Sequence, residues 1–191
     1  MRDEQELVAR AVAGDPRAFE RLISQCQDDV YRFLFRMTGS DSDLTDDLLQ
    51  DTCIAAFAAM PQFRGDSRFR TWIFGIATNL YRQSVRKRKV QDRQHQLLCG
   101  LRTEQSVTDR EPEINARQRA IQLAFNELAQ GQKEALYLRE ILGCSCAETA
   151  VILGISESSV KNRVYHGRIR LRQLVESLES NVTGRYVPRG C

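Results

Sequence analysis

Nowhere in this sequence do apolar and polar residues alternate as a half-buried strand requires, and no stretch is apolar for the ~20 residues that a membrane-crossing helix needs. Helices are therefore the expected building material, with no membrane insertion. A phosphate-cradling glycine loop is missing, as is any nucleophile paired with a base in a recognisable motif. No catalytic residue, cofactor or small-molecule substrate is expected, and the chain is not expected to be an enzyme. The six cysteines do not read as a disulfide framework, because four of them sit in or beside helical apolar patterns where a small apolar residue would also serve. His95 with Cys99, and Cys144 with Cys146, fall short of the four ligands of a structural zinc site, so no metal is expected. The first ten residues carry Asp3, Glu4 and Glu6 where a secretory signal has a basic start and an apolar run. The expected location is cytoplasmic, with reduced thiols.

What the chain does have is charge sorted by sign. Its formal net charge is only +3, but residues 61–93 hold nine basic residues against two acidic ones, and residues 156–172 hold five against one. Residues 41–51 hold five aspartates and no base. Clustering of this kind, more than the net value, marks surfaces for polyanions and for basic partners. A solvated acidic face is the plainer reading of the aspartates.

Asp15-Pro16 reads as a helix start, an N-cap acid followed by proline at the first helical position. Phe19, Leu22, Ile23, Cys26, Val30, Phe33, Leu34 and Met37 then recur at helical spacing, predicting one long amphipathic helix. Residues 39–43 break it. Leu44, Leu48, Leu49, Ala56, Phe57 and Met60 mark a second helix ended by Pro61, and Trp72, Ile73, Ile76, Ala77 and Leu80 carry a third into the run Arg86-Lys87-Arg88-Lys89. Apolar periodicity lapses over residues 94–115, read as a flexible linker. The chain thus divides into an N-terminal helical domain (1–93), the linker, a C-terminal helical domain (116–180) and a tail (181–191): an all-α fold of two small domains. In the second domain the apolar groups around Leu123 and Leu138 are each expected to stop at a glycine, Gly131 or Gly143.

Residues 146–168 match a helix-turn-helix: a short helix, a turn at Gly154, an N-capping Ser156 and a longer helix. On a wheel of 100° per residue Val160 and Val164 point inward. Ser158, Asn162, Tyr165 and His166 then point outward with Lys161 and Arg163 on the flanks, hydrogen-bonding and stacking groups beside phosphate-binding charges. Arg168, Arg170 and Arg172 extend the positive stripe along the same helix. A helical hairpin with a solvated basic face is the alternative. The third helix interleaves bases with Phe63, Phe69, Trp72, Phe74 and Tyr81, a composition suited to single-stranded DNA; for Phe69 and Trp72 a place in the core is equally open.

These residues carry a family resemblance. Asp47-Leu48-Leu49-Gln50-Asp51, Phe63-Arg64-Gly65 and Phe69-Arg70-Thr71-Trp72-Ile73-Phe74-Gly75-Ile76-Ala77-Thr78-Asn79 are similar to the second conserved region of extracytoplasmic-function (ECF) sigma factors of bacterial RNA polymerase. Residues 148–156 and Ser159-Val160-Lys161-Asn162-Arg163 resemble the family's fourth region. Cys53, Gln83 and Gly167 depart from the usual pattern, which has an aromatic, an aspartate and an alanine there; Gly167 is expected to loosen the last helix by up to about 1 kcal/mol relative to alanine.

The resemblance implies an initiation factor that binds core RNA polymerase and promoter DNA, helps melt the promoter, and is held in check by an anti-sigma factor. It implies that Asp47, Leu48, Gln50 and Asp51 dock on the polymerase. Arg64, Phe69, Trp72, Asn79, Arg82, Arg86 and Arg88 would hold the melted minus-ten element, with the loop from Arg64 to Phe69 and the helix through Asn79 capturing an unpaired base. Ser158, Ser159, Lys161, Asn162, Arg163, Tyr165, His166 and Arg170 would read duplex DNA at the minus-thirty-five element. The competing reading is a helix-turn-helix regulator that binds duplex DNA without acting as a polymerase subunit. Such a regulator has no need of the basic, aromatic stretch over residues 61–93.

Overall fold

The computed structural model describes residues 2–99 and 116–183, all of whose regular elements are helical. The chain divides into an N-terminal and a C-terminal compact unit. Residues 100–115 and 184–191, which hold most of the expected linker and tail, lie outside the described residues. Residues 94–99, assigned by sequence to the linker, are helical, because the third motif-bearing helix runs on to Cys99.

The N-terminal unit contains α1 (Arg2–Val12), α2 (Pro16–Ser24), α3 (Gln27–Met37), α4 (Ser42–Ala59), a 3-10 turn (Met60–Gln62) and α5 (Phe69–Cys99). Pro16 opens α2 as expected, and the Asp15 carboxylate accepts from the backbone N–H of Arg17 and Ala18 at 3.0 Å and 3.3 Å, the bonding that an N-cap supplies to otherwise unpaired donors. Arg10 pairs with the same carboxylate at 2.6 Å and holds its pKa below the usual carboxylate value. The single helix expected over residues 16–37 is two. The chain breaks at Gln25 and Cys26, whose thiol bonds to the carbonyls of Leu22 and Ile23. Apolar spacing stays in phase across that break, so periodicity could not reveal it.

The core of this unit comprises Phe19 and Leu22 from α2, Val30, Phe33 and Leu34 from α3, and Ile73, Phe74 and Ala77 from α5. Phe33 and Phe74 meet edge to face with centroids 5.5 Å apart, an arrangement that brings the positive edge of one ring to the negative face of the other. The buried Tyr81 hydroxyl donates to the Met37 carbonyl at 2.8 Å, tying α5 to the end of α3. The inner side of α4 is unusual: Thr45 and Thr52 are fully buried beside Leu48 and Ala56. Their hydroxyls donate to the carbonyls four residues back, Asp41 and Leu48, each at 2.6 Å. Those bonds satisfy a polar group that burial would otherwise penalise.

The C-terminal unit contains α6 (Ala116–Asn126), α7 (Gln130–Leu136), a π turn (Tyr137–Ile141), α8 (Cys146–Leu153) and α9 (Glu157–Thr183). Gly131 does not stop a helix, as sequence suggested; α6 already ends at Asn126 and Gly131 lies in the first turn of α7. A Cβ at Gly131 would stand 2.8 Å from the Arg163 guanidinium, so glycine there leaves the space in which that side chain lies. Gly167 of α9 is buried against α7, where a Cβ would come 2.9 Å from Leu136. The missing methyl therefore permits a close helix approach, a packing role that stands beside the propensity cost expected of glycine within a helix.

Candidate nucleic-acid interface

Two local devices aim the helix-turn-helix. Ser145 and Glu148 form a reciprocal capping box at the start of α8. Ser145 N–H donates to the Glu148 carboxylate at 2.8 Å and Glu148 N–H to the Ser145 hydroxyl at 3.1 Å. Gly154, at φ 63°, makes the turn, a left-handed conformation that glycine adopts without a Cβ penalty. Ser156 then caps α9, accepting from Ser159 N–H at 3.2 Å, and its hydroxyl also meets those of Ser158 and Ser159. Val160 and Val164 are buried and anchor α9 inward.

The outward face is as the wheel predicts. Ser158, Lys161, Asn162, Tyr165 and His166 are exposed, Tyr165 by 62%, and Tyr165 and His166 meet edge to face at 5.2 Å. Ser159 is half-buried in the capping network. Arg163 is half-buried too, turned toward Gly131 and away from the outer face. His166 and Arg170 sit at the edge, lining a shallow groove of about 520 Å³ with Glu127 and Gln132. Arg168 is ion-paired to Glu140 of the π turn at 2.5 Å, whereas Arg170 and Arg172 are exposed.

In the N-terminal unit the expected single-strand surface separates into core and rim. Phe69 is 3% exposed and packs edge-on against both Phe19 and Phe63. It packs beneath that surface as part of the core. Trp72 is half-buried, its ring 4.8 Å from that of Phe63. Arg64, Asn79, Arg86 and Arg88 are exposed and Arg82 is half-buried. Arg88 reaches Asp41 at 3.4 Å, and the other oxygen of that carboxylate caps α4 through Leu44 N–H at 3.0 Å.

The polymerase-docking candidates divide in the same way. Asp47, Gln50 and Asp51 are exposed on one face of α4, while Leu48 is 4% exposed and belongs to the core. Sequence reading missed the rest of that face. Ile54 and Phe57 continue it, 60% and 55% exposed, although Phe57 was counted in the inward pattern. The clue lay in the opposite face, where Thr45, Leu48, Thr52 and Ala56 share a helical side. Of the metal candidates, Cys144 is buried and Cys146 half-buried, and the side chains of His95 and Cys99 lie outside the described residues. Among the described residues no three His, Cys, Asp or Glu side chains come together as a metal site would need. No described helix is long and apolar enough to cross a membrane.

Residues 22–90 match the family model for sigma-70 region 2, and residues 118–171 that for sigma-70 region 4. The chain is 32% identical to the ECF RNA polymerase sigma factor SigM of Mycobacterium tuberculosis, over 96% of this chain and 90% of that one. It is 31% identical to the RNA polymerase sigma factor CnrH of Cupriavidus metallidurans, over 90% and 93%. Among solved structures it resembles the sigma factor RpoE of Bartonella quintana, crystallised with the anti-sigma factor NepR: the TM-score is 0.70 at 27% identity, covering 83% of this chain and 96% of that one. A duplex-binding regulator accounts for the second match and not the first. With both regions present in order, the chain belongs to the extracytoplasmic-function sigma factors of bacterial RNA polymerase.

Proposed function

We propose that this sigma factor divides its work between its two units. The N-terminal unit docks on core polymerase and holds the melted minus-ten strand; the C-terminal unit reads the minus-thirty-five duplex. The observation that carries this reading is the exposed, outward set of Asn162, Tyr165 and His166 on α9, fixed from behind by buried Val160 and Val164. Lys161 and Arg170 supply phosphate contacts beside it. Docking falls to the face of α4 formed by Asp47, Gln50 and Asp51, extended by Ile54 and Phe57, a charged rim beside an apolar centre. Trp72, Asn79, Arg64, Arg82 and Arg86 form the strand surface, stacking and neutralising charge as unpaired DNA requires. An anti-sigma factor restrains the chain, as the solved relative's partner suggests. None of these roles calls for a catalytic group of the chain's own.

The test is a salt titration of the full chain on core polymerase against matched and scrambled upstream duplexes. Alanine at Asn162 or His166 is expected to cost about 1–3 kcal/mol on the matched duplex alone and to relax one position. Alanine at Arg170 is expected to weaken all duplexes alike and to flatten the salt slope by about one unit. If Arg170→Ala abolishes discrimination while Asn162→Ala and His166→Ala keep it, α9 is docked differently and the assignment falls.

A further inference from the structure

Glycine stands on both sides of the contact between α7 and α9, and the two positions face different neighbours. Gly167 is buried on α9, where a Cβ would stand 2.9 Å from Leu136 Cδ1, 3.2 Å from its Cγ and 3.4 Å from Gln132 Cβ. Leu136 is itself only 4% exposed, which leaves it little room to withdraw. Gly131 lies in the first turn of α7, where a Cβ would stand 2.8 Å from Arg163 Nη1 and 3.4 Å from its Nε. That neighbour is the end of a long side chain, and among the described residues no hydrogen bond or ion pair holds it in place. Arg163 and Gly167 are four residues apart and share one face of α9. Asn162 and His166, each one residue earlier, stand about 100° round the same helix and are exposed. Gln132 meets both faces, because it also lines the groove beside His166.

We propose that Gly131 and Gly167 are specificity-determining positions for the minus-thirty-five duplex, although neither touches it. The inference rests on the reading of α9 as the element that enters that duplex. A close-packed interface passes a displacement on and does not absorb it. A methyl at position 167 meets a buried leucine, so α9 rolls or lifts from α7 and carries Asn162 and His166 with it. Hydrogen bonds to base edges hold only over about 2.7–3.2 Å with good angles, so a small roll changes which edges are reached. Lys161 and Arg170 sit at the ends of long flexible stems and keep their phosphates through the same shift. Gly131 acts on charge instead. Its bare Cα leaves the notch in which the Arg163 guanidinium lies, turned away from the DNA-reading face; a side chain there turns the guanidinium out toward the phosphates. One glycine thus sets which bases are read, and the other how many cations the duplex meets. A glycine needed for folding alone would alter stability and leave base preference and salt dependence as they were.

The experiment uses the full-length chain on core polymerase and a panel of upstream duplexes from a promoter at which that holoenzyme initiates, each with one base pair altered. Affinity across the panel, its salt slope and thermal unfolding are measured for every variant. Gly167→Ala is expected to change the ratio of matched to altered duplex by at least about fivefold at one or two adjacent positions, with the salt slope of the wild type. Adding Leu136→Ala vacates the space the methyl needs and is expected to bring that ratio back within about twofold of wild type. Leu136→Ala alone opens the same seat and is expected to relax preference at the same positions, which keeps the seat under test if Gly167→Ala does not fold. Gly131→Ala is expected to bind every duplex more tightly and to steepen the salt slope by about one unit, a gain that Arg163→Gln removes. A wild-type preference profile in both Gly167→Ala and Leu136→Ala overturns the proposal, as does a loss spread evenly over the panel. So does a Gly131→Ala salt slope equal to that of the wild type. Absence of any preference in the wild-type holoenzyme instead removes the minus-thirty-five reading of α9 itself.

Discussion

Arg168 of α9 and Glu140 of the π turn are joined at 2.5 Å, so one guanidinium of the basic stripe is already held by the protein's own carboxylate. Both groups are well exposed, and such a pair adds at most about 1 kcal/mol to stability. Its consequence is for DNA, since a phosphate has to compete with Glu140 for Arg168. Glu140→Gln is expected to leave the unfolding midpoint nearly unchanged, to raise affinity for matched and scrambled duplexes alike, and to steepen the salt slope by up to about one unit. A slope equal to that of the wild type means that Arg168 never meets a phosphate.

Phe69 and Asn79 were assigned together from sequence and part in the structure. Phe69 is core, so Phe69→Ala is expected to cost about 3–5 kcal/mol in denaturant unfolding. Exposed Asn79 is expected to tolerate alanine within about 0.5 kcal/mol while losing binding to the single-stranded minus-ten element. Equal stability of the two variants contradicts this division.

A similar contrast separates Leu48 from its neighbours on α4. Leu48→Ala is expected to destabilise the fold by about 2–5 kcal/mol. Asp47→Lys with Gln50→Lys is expected to leave the unfolding midpoint close to wild type and to weaken binding to core polymerase, measured by competition against a labelled sigma factor.

What could be read in advance was what is local. Asp15-Pro16, Ser156 and Gly154 each determine their own stretch of backbone, and each stands where its chemistry implied. The capping box at Ser145 and Glu148 is equally local, a serine three residues before a glutamate, yet sequence reading missed it. The break at Gln25 was not legible, because Cys26 and Val30 keep the apolar phase of Phe19 and Leu22. The face of α4 misled for a different reason: backbone-bonded threonines occupy the inside, leaving the larger Phe57 in solvent against the edge of Phe19. Whether Phe69 or Trp72 was core depended on long-range contacts with Phe19, which no local pattern encodes. The pairing of Arg168 with Glu140 likewise joins elements distant in sequence.

Burial pushes the Cys26 thiol up to about 12 from the ordinary 9.0. A raised pKa keeps the neutral thiol in the folded chain, so the native protein lacks the nucleophilic thiolate at neutral pH. The same shift contributes stability that is fully present below pH 9 and is lost as the pH rises from there toward 12. In timed iodoacetamide labelling at pH 8 followed by peptide mass analysis, Cys26 is expected to react only on unfolding, well after half-buried Cys146. Early modification of Cys26 in the native protein contradicts its place beneath α2.

That this chain supplies promoter specificity to the polymerase is tested most directly by run-off transcription on a genomic promoter library with core polymerase alone, the chain alone and the two combined. The combination is expected to yield discrete transcripts that neither component yields, and the Asp47→Lys, Gln50→Lys variant is expected to lose most of them despite normal folding. Duplex binding by the free chain, with no new transcript when core polymerase is added, would contradict it.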